Sequence, residues 1–283
     1  MLIDFHTHTT ASDGALAPAE LLARVRERGV QMLAITDHDT ITGYLALRDS
    51  AAMRDDPLTL VPGVEFSCCW SGTTVHIVGL GFDSEHPAMQ EALTVMHNAR
   101  NQRGEQIAER LARRGYAGAL EGALREAGDS QLGRPHFAAW MVQQGYVSDA
   151  REAFDRYLGQ GKTGDVKAFW PELARVVSWI VDAGGVAVIA HPYKYRFTGM
   201  KLRRLVVDFV TAGGRAIELL SGYQTPQQTA QITRYAKEFG LEVSVGSDYH
   251  RDARYSAEPG VSVPELNDLH GVWERWRRGG EAA

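Results

Sequence analysis

Cysteine is almost absent from the 283-residue chain: two occur, adjacent at Cys68 and Cys69. Neighbours in sequence cannot build an ordinary disulfide framework, so a cystine-stapled secreted domain is excluded and an intracellular protein is expected. Long apolar runs are also missing. The longest, over residues 176–190, is interrupted by Asp182 and by Gly184-Gly185, and it falls short of the ~20 residues a membrane-spanning helix needs. No membrane partner is expected. The opening Met1-Leu2-Ile3-Asp4-Phe5-His6 has no basic segment leading into an apolar one, which reads as no secretory signal and a cytoplasmic location. Basic excess is missing too: Lys+Arg number 30 against 35 Asp+Glu, for a net charge of −5. A surface that wraps nucleic acid would carry a strong positive excess, although a local anion site remains compatible with this balance. Neither a repeat of fixed period nor a low-complexity tract interrupts the chain.

What is present is ordinary for a globular enzyme, with 44% hydrophobic and 23% charged residues. A chain of nearly 300 residues can bury ~75% of its unfolded surface, so a large core needs no staples. Short apolar runs alternate with amphipathic stretches, the pattern of successive βα units. Strands are expected over 2–5, 32–35 and 58–64, with helices over 18–28 and 43–53 between them; Pro18 suits a first helical turn and Gly29 an end. Segments 64–70 and 73–79 flank Ser71-Gly72 and predict a hairpin that sets Glu65 and His76 at similar heights. From 87 to 171 the chain reads as helical, with helices expected over 101–114, 135–144 and 149–158. Alternation resumes with helices over 171–183, 201–212 and 225–239, strands over 186–190, 216–219 and 242–245, and a final amphipathic helix over 265–278. The expected architecture is a barrel-like α/β domain over 1–97 and 170–283, with a helical insertion over 98–169.

Ten histidines occur, several of them beside acidic residues. The first strand ends in Asp4-Phe5-His6-Thr7-His8; in extended chain residues two apart face one side, so both imidazoles can reach a single metal. Asp13 follows in the next loop. The second strand leads into Thr36-Asp37-His38-Asp39, the third into Gly63-Val64-Glu65, the fifth into Ala190-His191-Pro192 and the seventh into Ser247-Asp248-Tyr249-His250. His76 lies on the hairpin partner of Glu65. Singly, each is as ordinary as a surface histidine pair. Together, His6, His8, Asp13, His38, Glu65, His76, His191, Asp248 and His250 fall at or just beyond strand ends, where barrel enzymes gather catalytic groups. Histidines serving only the core would be scattered along helices and over both faces. Imidazole and carboxylate are standard ligands of first-row metals.

These motifs resemble those of the PHP (polymerase and histidinol phosphatase) family, over nearly the whole chain outside the insertion. The resemblance implies a distorted (β/α)7, TIM-like barrel with an inserted α-helical subdomain, and two to three divalent ions drawn from Mn, Fe or Zn. It implies that His6, His8, Glu65 and Asp248 hold one ion, Asp13, His38 and His250 a second, and Glu65, His76 and His191 a third, with Glu65 bridging. Asp13 stands where some members carry His. Gly133-Arg134-Pro135-His136 and Tyr157-Leu158-Gly159-Gln160-Gly161-Lys162 resemble segments of the bacterial branch that hydrolyses nucleoside 3′,5′-bisphosphates and trims short 5′-phosphorylated RNA from its 5′ end. Arg134, His136 and Lys162 are then expected as phosphate contacts, Arg as a planar fork and Lys as a point charge. Lys194 and Arg196 border the same loop as His191 and are further candidates, as is the Ser12 hydroxyl; solvated loops and a turn-stabilising serine are the plainer readings.

The implied activity is metal-dependent removal of the 3′-phosphate from a nucleoside 3′,5′-bisphosphate, with the insertion closing over the barrel mouth. Three divalent ions would outweigh Asp13, Glu65 and Asp248 and leave the site positive, so the net charge of −5 does not oppose an anionic substrate. Asp13, Glu65 and His191 are the expected catalytic residues, and the proton for the leaving oxygen can come from Asp13, His191 or a metal-held water. Three alternatives stand beside this: a histidinol-phosphate phosphatase, an amidohydrolase, and a non-catalytic PHP module. Amidohydrolases commonly bridge their metals with a carboxylated lysine, where this chain offers Glu65. Glu218 has no matching ligand motif and is read as structural, and His86, His97 and His270 as non-ligands. No obligate protein partner is expected.

Overall fold

The computed structural model describes residues 1–54, 56–166, 169–253 and 257–277. It divides into two compact units, Met1–Leu93 with Pro171–Ala283, and Thr94–Trp170.

The first unit is mixed α/β. Strands β1 (Leu2–Asp4), β2 (Met32–Ala34) and β3 (Thr59–Val61) are parallel neighbours, and a short β9 (Val261–Ser262), not expected from the sequence, pairs antiparallel with β1. A second sheet runs β4 (Gly63–Trp70), β5 (Thr73–Leu80), β6 (Val186–Ile189), β7 (Ala216–Ser221) and β8 (Glu242–Gly246). Its first three strands alternate in direction and its last three are parallel. The sheets meet through isolated parallel bridges, His38↔Glu65 and Thr7↔Tyr249, rather than through a continuous ladder. Crossovers α1 (Pro18–Glu27), α2 (Thr42–Arg48), α7 (Leu173–Asp182), α8 (Gly199–Thr211) and α9 (Pro226–Phe239) follow the strands. Their apolar residues recur at helical spacing. In α1, Leu21, Leu22 and Val25 are buried and join Leu33, Ile35, Tyr44 and Leu47 in one cluster.

Several boundaries differ from expectation for local reasons. The apolar run 58–64 is two strands, because Pro62 has no N–H to continue the ladder; β3 ends at Val61 and β4 begins at Gly63. Glu65 is therefore the third residue of β4 and not the end of the third strand. In the hairpin register Glu65 pairs with Val78, and His76 with Ser67, so Glu65 and His76 are diagonal neighbours on one face rather than directly opposed. Helix α2 stops at Arg48, since Ser50 is extended (φ −75°, ψ 149°), and Ala51–Met53 forms a separate 3-10 turn. The helix expected over 265–278 is reduced to a 3-10 turn at Val272–Trp276: Asn267 is left-handed (φ 52°) and Gly271 extended (φ −92°, ψ 137°). Arg278, its expected end, lies outside the described residues.

The second unit is helical. It takes the C-terminal part of α3 (Pro87–Ala112), then α4 (Ala119–Ala127), α5 (Arg134–Gln143), α6 (Ala150–Ala153) and a π-helical turn at Phe154–Leu158. Residue 98, the expected start of the insertion, falls inside α3. Ile107, Leu111, Phe137, Trp140, Met141 and Leu158 form its own buried core. Among the described residues no helix is long and apolar enough to cross a membrane.

Candidate metal centre

The exits of β1 and β8 are stitched together. Phe5 N–H donates to the Val245 carbonyl at 3.1 Å, Asp248 N–H to the His6 carbonyl at 2.8 Å, and His8 N–H to the Tyr249 carbonyl at 2.9 Å. Alternation then sends Phe5 into the core, edge-on to Trp276, and His6 and His8 to the opposite side. The approach needs glycine at Gly246, where an added Cβ would lie 2.3 Å from the His6 Cβ. On the other flank, Asp39 N–H donates to the Glu65 carbonyl and Glu65 N–H to the Asp37 carbonyl, which draws the β2 exit onto β4. Asp39, His191 and Asp248 hold positive φ (57°, 28° and 54°). Such backbone costs about 1–3 kcal/mol each; it brings the His191 and Asp248 side chains to one point, while the Asp39 carboxylate accepts from Ser67 N–H and Ser67 Oγ on β4.

All nine expected ligands converge there. Four overlapping sets have ligand atoms mutually within 4.8 Å: His8, Asp13, His38 and His250; His6, His8 and Asp248; His6, Glu65 and His191; and His38, Glu65 and His76. Glu65, fully buried, divides its oxygens. Oε2 lies 3.3 Å from His6 Nε2, 3.4 Å from His8 Nε2 and 2.9 Å from His38 Nδ1, while Oε1 lies 3.0 Å from His76 Nδ1 and 2.8 Å from His191 Nε2. Asp248 Oδ1 is 3.6 Å from His6 Nε2 and 3.3 Å from His8 Nε2. Asp13 Oδ1 is 3.3 Å from His250 Nε2 and 3.9 Å from His38 Nε2. His6 Nε2, His8 Nε2 and Glu65 Oε2 are buried without a hydrogen-bond partner, an arrangement that would be costly if nothing else satisfied them. Four ligands held tetrahedrally at about 2.1 Å from an ion stand about 3.4 Å apart, close to the spacings around His6, His8, Glu65 and Asp248. The donors are all nitrogen and oxygen, and the residues fit divalent cations.

The charge pattern is strongly perturbed. Burial alone would lower the His6 imidazole, but the Glu218 and Glu65 carboxylates outweigh it and push it up to about 10. Burial would raise the Glu65 carboxyl, yet His76, His6 and His38 hold it well below the usual carboxylate range. Asp13 is likewise held low by His38 and His250 against its burial. His8 is pushed well below the usual imidazole value by burial and by His250 and His38, and His76 falls to about 4 mainly through burial. Imidazoles crowded around two buried carboxylates are a built cation cradle.

A PHP domain matches residues 4–165. The chain belongs to the PHP domain family. Over 275 residues it is 42% identical to a 5′-3′ exoribonuclease of Haemophilus influenzae, covering 96% of this chain and 98% of that one. It is 41% identical over 268 residues to a 3′,5′-nucleoside bisphosphate phosphatase of Chromobacterium violaceum, covering 94% and 92%. A solved structure described as an amidohydrolase from Chromobacterium violaceum, with bound sulfate and no metal, matches at TM-score 0.85 and 37% identity over 96% of this chain and 95% of that one.

Around this PHP centre lies a layer of buried polar groups that sequence reasoning passed over. Glu218, read as structural, places Oε1 2.5 Å from His6 Nδ1 and accepts the His191 N–H on Oε2 at 2.5 Å. It thereby turns His6 Nε2 toward Glu65. The signal was available as a lone carboxylate within the apolar run Ala216-Ile217-Glu218-Leu219-Leu220. Tyr195 donates to the Ala190 carbonyl at 2.9 Å, accepts the His76 N–H at 2.8 Å and packs edge-on to His191.

The remaining expected contacts are placed as follows. The Ser12 hydroxyl donates to Asp37 Oδ1 at 2.6 Å, and Asp37 also accepts from Thr9 N–H and Thr9 Oγ1; at 3% exposure, Ser12 holds its loop in this structure, in line with the plainer of its two readings. Lys194 forms an ion pair with Asp248, and Arg196 is exposed in the same loop. Within the helical unit, Arg134 Nη1 donates to the Leu158 carbonyl at 3.0 Å with its guanidinium over Phe154. His136 Nδ1 accepts the Gly133 N–H at 3.0 Å, and Lys162 is exposed. His86, His97 and His270 belong to none of the four sets.

Proposed function

We propose that this PHP protein is a metal-dependent phosphoesterase that removes the 3′-phosphate of nucleoside 3′,5′-bisphosphates and trims short 5′-phosphorylated RNA from its 5′ end. One observation carries the reading: six imidazoles and three carboxylates meet in one cluster of a chain 41–42% identical to proteins named for those two activities. The names share one bond. Releasing phosphate from a 3′,5′-bisphosphate and releasing a 5′-nucleotide from an RNA 5′ end both break phosphorus–O3′ and leave a 3′-hydroxyl. A single site therefore serves both.

His6, His8, Glu65 and Asp248 would hold one ion, Asp13, His38 and His250 a second, and Glu65, His76 and His191 a third. Two or three ions of Mn, Fe or Zn suit this donor set. Bound there, divalent ions supply Lewis acidity to the phosphoryl oxygens and lower the pKa of the water nucleophile. Glu65, with both oxygens engaged, fixes the spacing between sites. Asp13 and His191 handle the proton that O3′ requires on leaving; Asp13 keeps 19% of its side chain open to solvent and His191 7%. The two sheets act as one distorted (β/α)7 barrel, the helical unit supplies Arg134, His136 and Lys162 to a substrate phosphate, and Lys194 and Arg196 add charge beside the centre. A cytoplasmic location suits a nucleotide substrate.

The amidohydrolase reading has the description of the structural neighbour behind it. The bridging position favours the phosphoesterase, since Glu65 stands within 3.4 Å of His6, His8, His38, His76 and His191, where an amidohydrolase would use a carboxylated lysine. The test is phosphate release by Mn-reconstituted protein, with and without chelator. Substrates are adenosine 3′,5′-bisphosphate, 5′-AMP, histidinol phosphate and a short 5′-phosphorylated RNA. Chelator-sensitive preference for the bisphosphate is expected, with turnover abolished in Asp248→Ala. Preference for histidinol phosphate, or metal-free activity in Asp248→Ala, would overturn it.

A further inference from the structure

A cavity of about 680 Å³ opens beside the centre, at the ends of β7 and β8, and shares Asp248 and His250 with it. Its size lies within the ~300–1,000 Å³ of ligand pockets, and from Lys194 and the proposed ligands Asp248 and His250 it extends outward to Tyr223. We propose that it receives the RNA strand on the far side of the scissile phosphate, with Tyr223 as the stacking face for the first downstream base and Arg251 beside the phosphate that follows. This rests on the exoribonuclease half of the function proposed above.

The lining chemistry is the argument. Tyr223 is 77% exposed, and it follows Gly222, whose left-handed backbone (φ 61°) turns the chain out of β7. An aromatic ring standing in solvent at the edge of a cavity is suited to stacking, which accepts every base because every base has a π-face. The amides on the same wall are each held by one end. Gln224 donates its amide N–H groups to the Leu219 carbonyl and Thr229 Oγ1, and the Gln228 side-chain carbonyl accepts the Thr225 N–H. Both are thereby fixed in the wall, and Tyr223 is the aromatic ring that stands clear of it. Lys194 and Arg251 set two cations against the single carboxylate of Asp248, a balance that favours a polyanion. Arg251 is anchored by donating to the Asp13 carbonyl at 2.8 Å, which ties this wall to the loop that carries a proposed ligand.

A bisphosphate ends at the phosphoryl group under attack and has no base beyond it to set against Tyr223. An RNA does. The Mn-loaded full chain and its Tyr223→Ala and Tyr223→Trp variants would be compared on adenosine 3′,5′-bisphosphate and on a 5′-phosphorylated trinucleotide. Tyr223→Ala should lower kcat/KM on the trinucleotide by at least about fivefold, the lower end of the loss of one stacked base. Its turnover of the bisphosphate should stay within about twofold, and Tyr223→Trp should restore RNA trimming. Unchanged trimming by Tyr223→Ala would overturn the inference. So would an equal fall on both substrates, which would make the cavity the seat of the departing nucleotide. Wild-type protein that hydrolyses the bisphosphate but not the trinucleotide would also overturn it while sparing the phosphatase; hydrolysis of neither would instead sink the function proposed above.

Discussion

At the scale of single residues, the centre depends on groups that touch no substrate. Glu218 accepts the His191 N–H and approaches His6 Nδ1, so one carboxylate orients residues from two of the proposed ion sites. An amide at this position presents an NH2 group to one of two donors and cannot satisfy both. Glu218→Gln should therefore weaken ion binding by about 10- to 100-fold, read as metal content after dialysis against graded chelator, with kcat falling in parallel. Metal retention equal to wild type would remove Glu218 from the centre. Ser12 tests the opposite expectation. Its hydroxyl is engaged by Asp37, so Ser12→Ala should cost about 1 kcal/mol of stability and leave KM for the bisphosphate unchanged; a raised KM with unaltered stability would place it among the substrate contacts. The contrast with the nine ligands explains what the sequence makes legible. His6, His8, His38, His191, Asp248 and His250 sit in short motifs at strand exits, where local spacing carries the meaning. Glu218 acquires its role only through partners 212 and 27 residues away, which no local pattern encodes.

At the scale of elements, the decisive contact is the seam between the exits of β1 and β8. Three backbone hydrogen bonds cross it, and Gly246 permits the approach by lacking a Cβ that would strike His6. Gly246→Ala should displace the His6 ring from Glu65 and Asp248. The expected result is loss of bound metal and at least a tenfold loss of turnover, the lower end for a disturbed metal site, with far-UV circular dichroism preserved. Full metal content in the variant would show that the seam tolerates a methyl group. The same seam marks where reading the sequence succeeds and fails. Parallel strands buried on both faces announce themselves as apolar runs, so β1, β2, β6, β7 and β8 were legible, and Ser71-Gly72 marked the β4–β5 turn. Pro62 cuts what reads as one strand over 58–64, so β4 begins at Gly63 and carries Glu65 as its third residue. The amphipathic stretch near the end of the chain failed as a helix because Asn267 and Gly271 take non-helical backbone, and packing of Trp276 against Phe5 then uses its aromatic residues. Helical periodicity was present, but tertiary contacts decided the conformation.

At the scale of the whole molecule, the two units hold stability of different origin. The helical unit has a self-contained apolar core around Phe137, Trp140 and Met141. The α/β unit, beside its own apolar cluster, buries Asp4, His6, His8, Asp37, Asp39, Glu65, His191 and Glu218, groups whose desolvation is offset only where each has a partner. Ions that bind this folded cluster but not the unfolded chain stabilise the folded state by RT ln(1 + [L]/Kd), about 2.7 kcal/mol at a hundredfold excess over Kd. Stripping the protein with chelator should therefore lower its Tm, and manganese should restore it in a concentration-dependent way. Hydrogen exchange followed by mass spectrometry separates the units. Protection should fall at β1, at β8 and in the loop through His191, whose backbone bonds hold the cluster together, while α5 keeps its protection because none of the four candidate sets includes a residue from it. An equal loss of protection in α5 would mean that the units unfold as one, and an unmoved Tm would mean that the cluster gains its stability without ions.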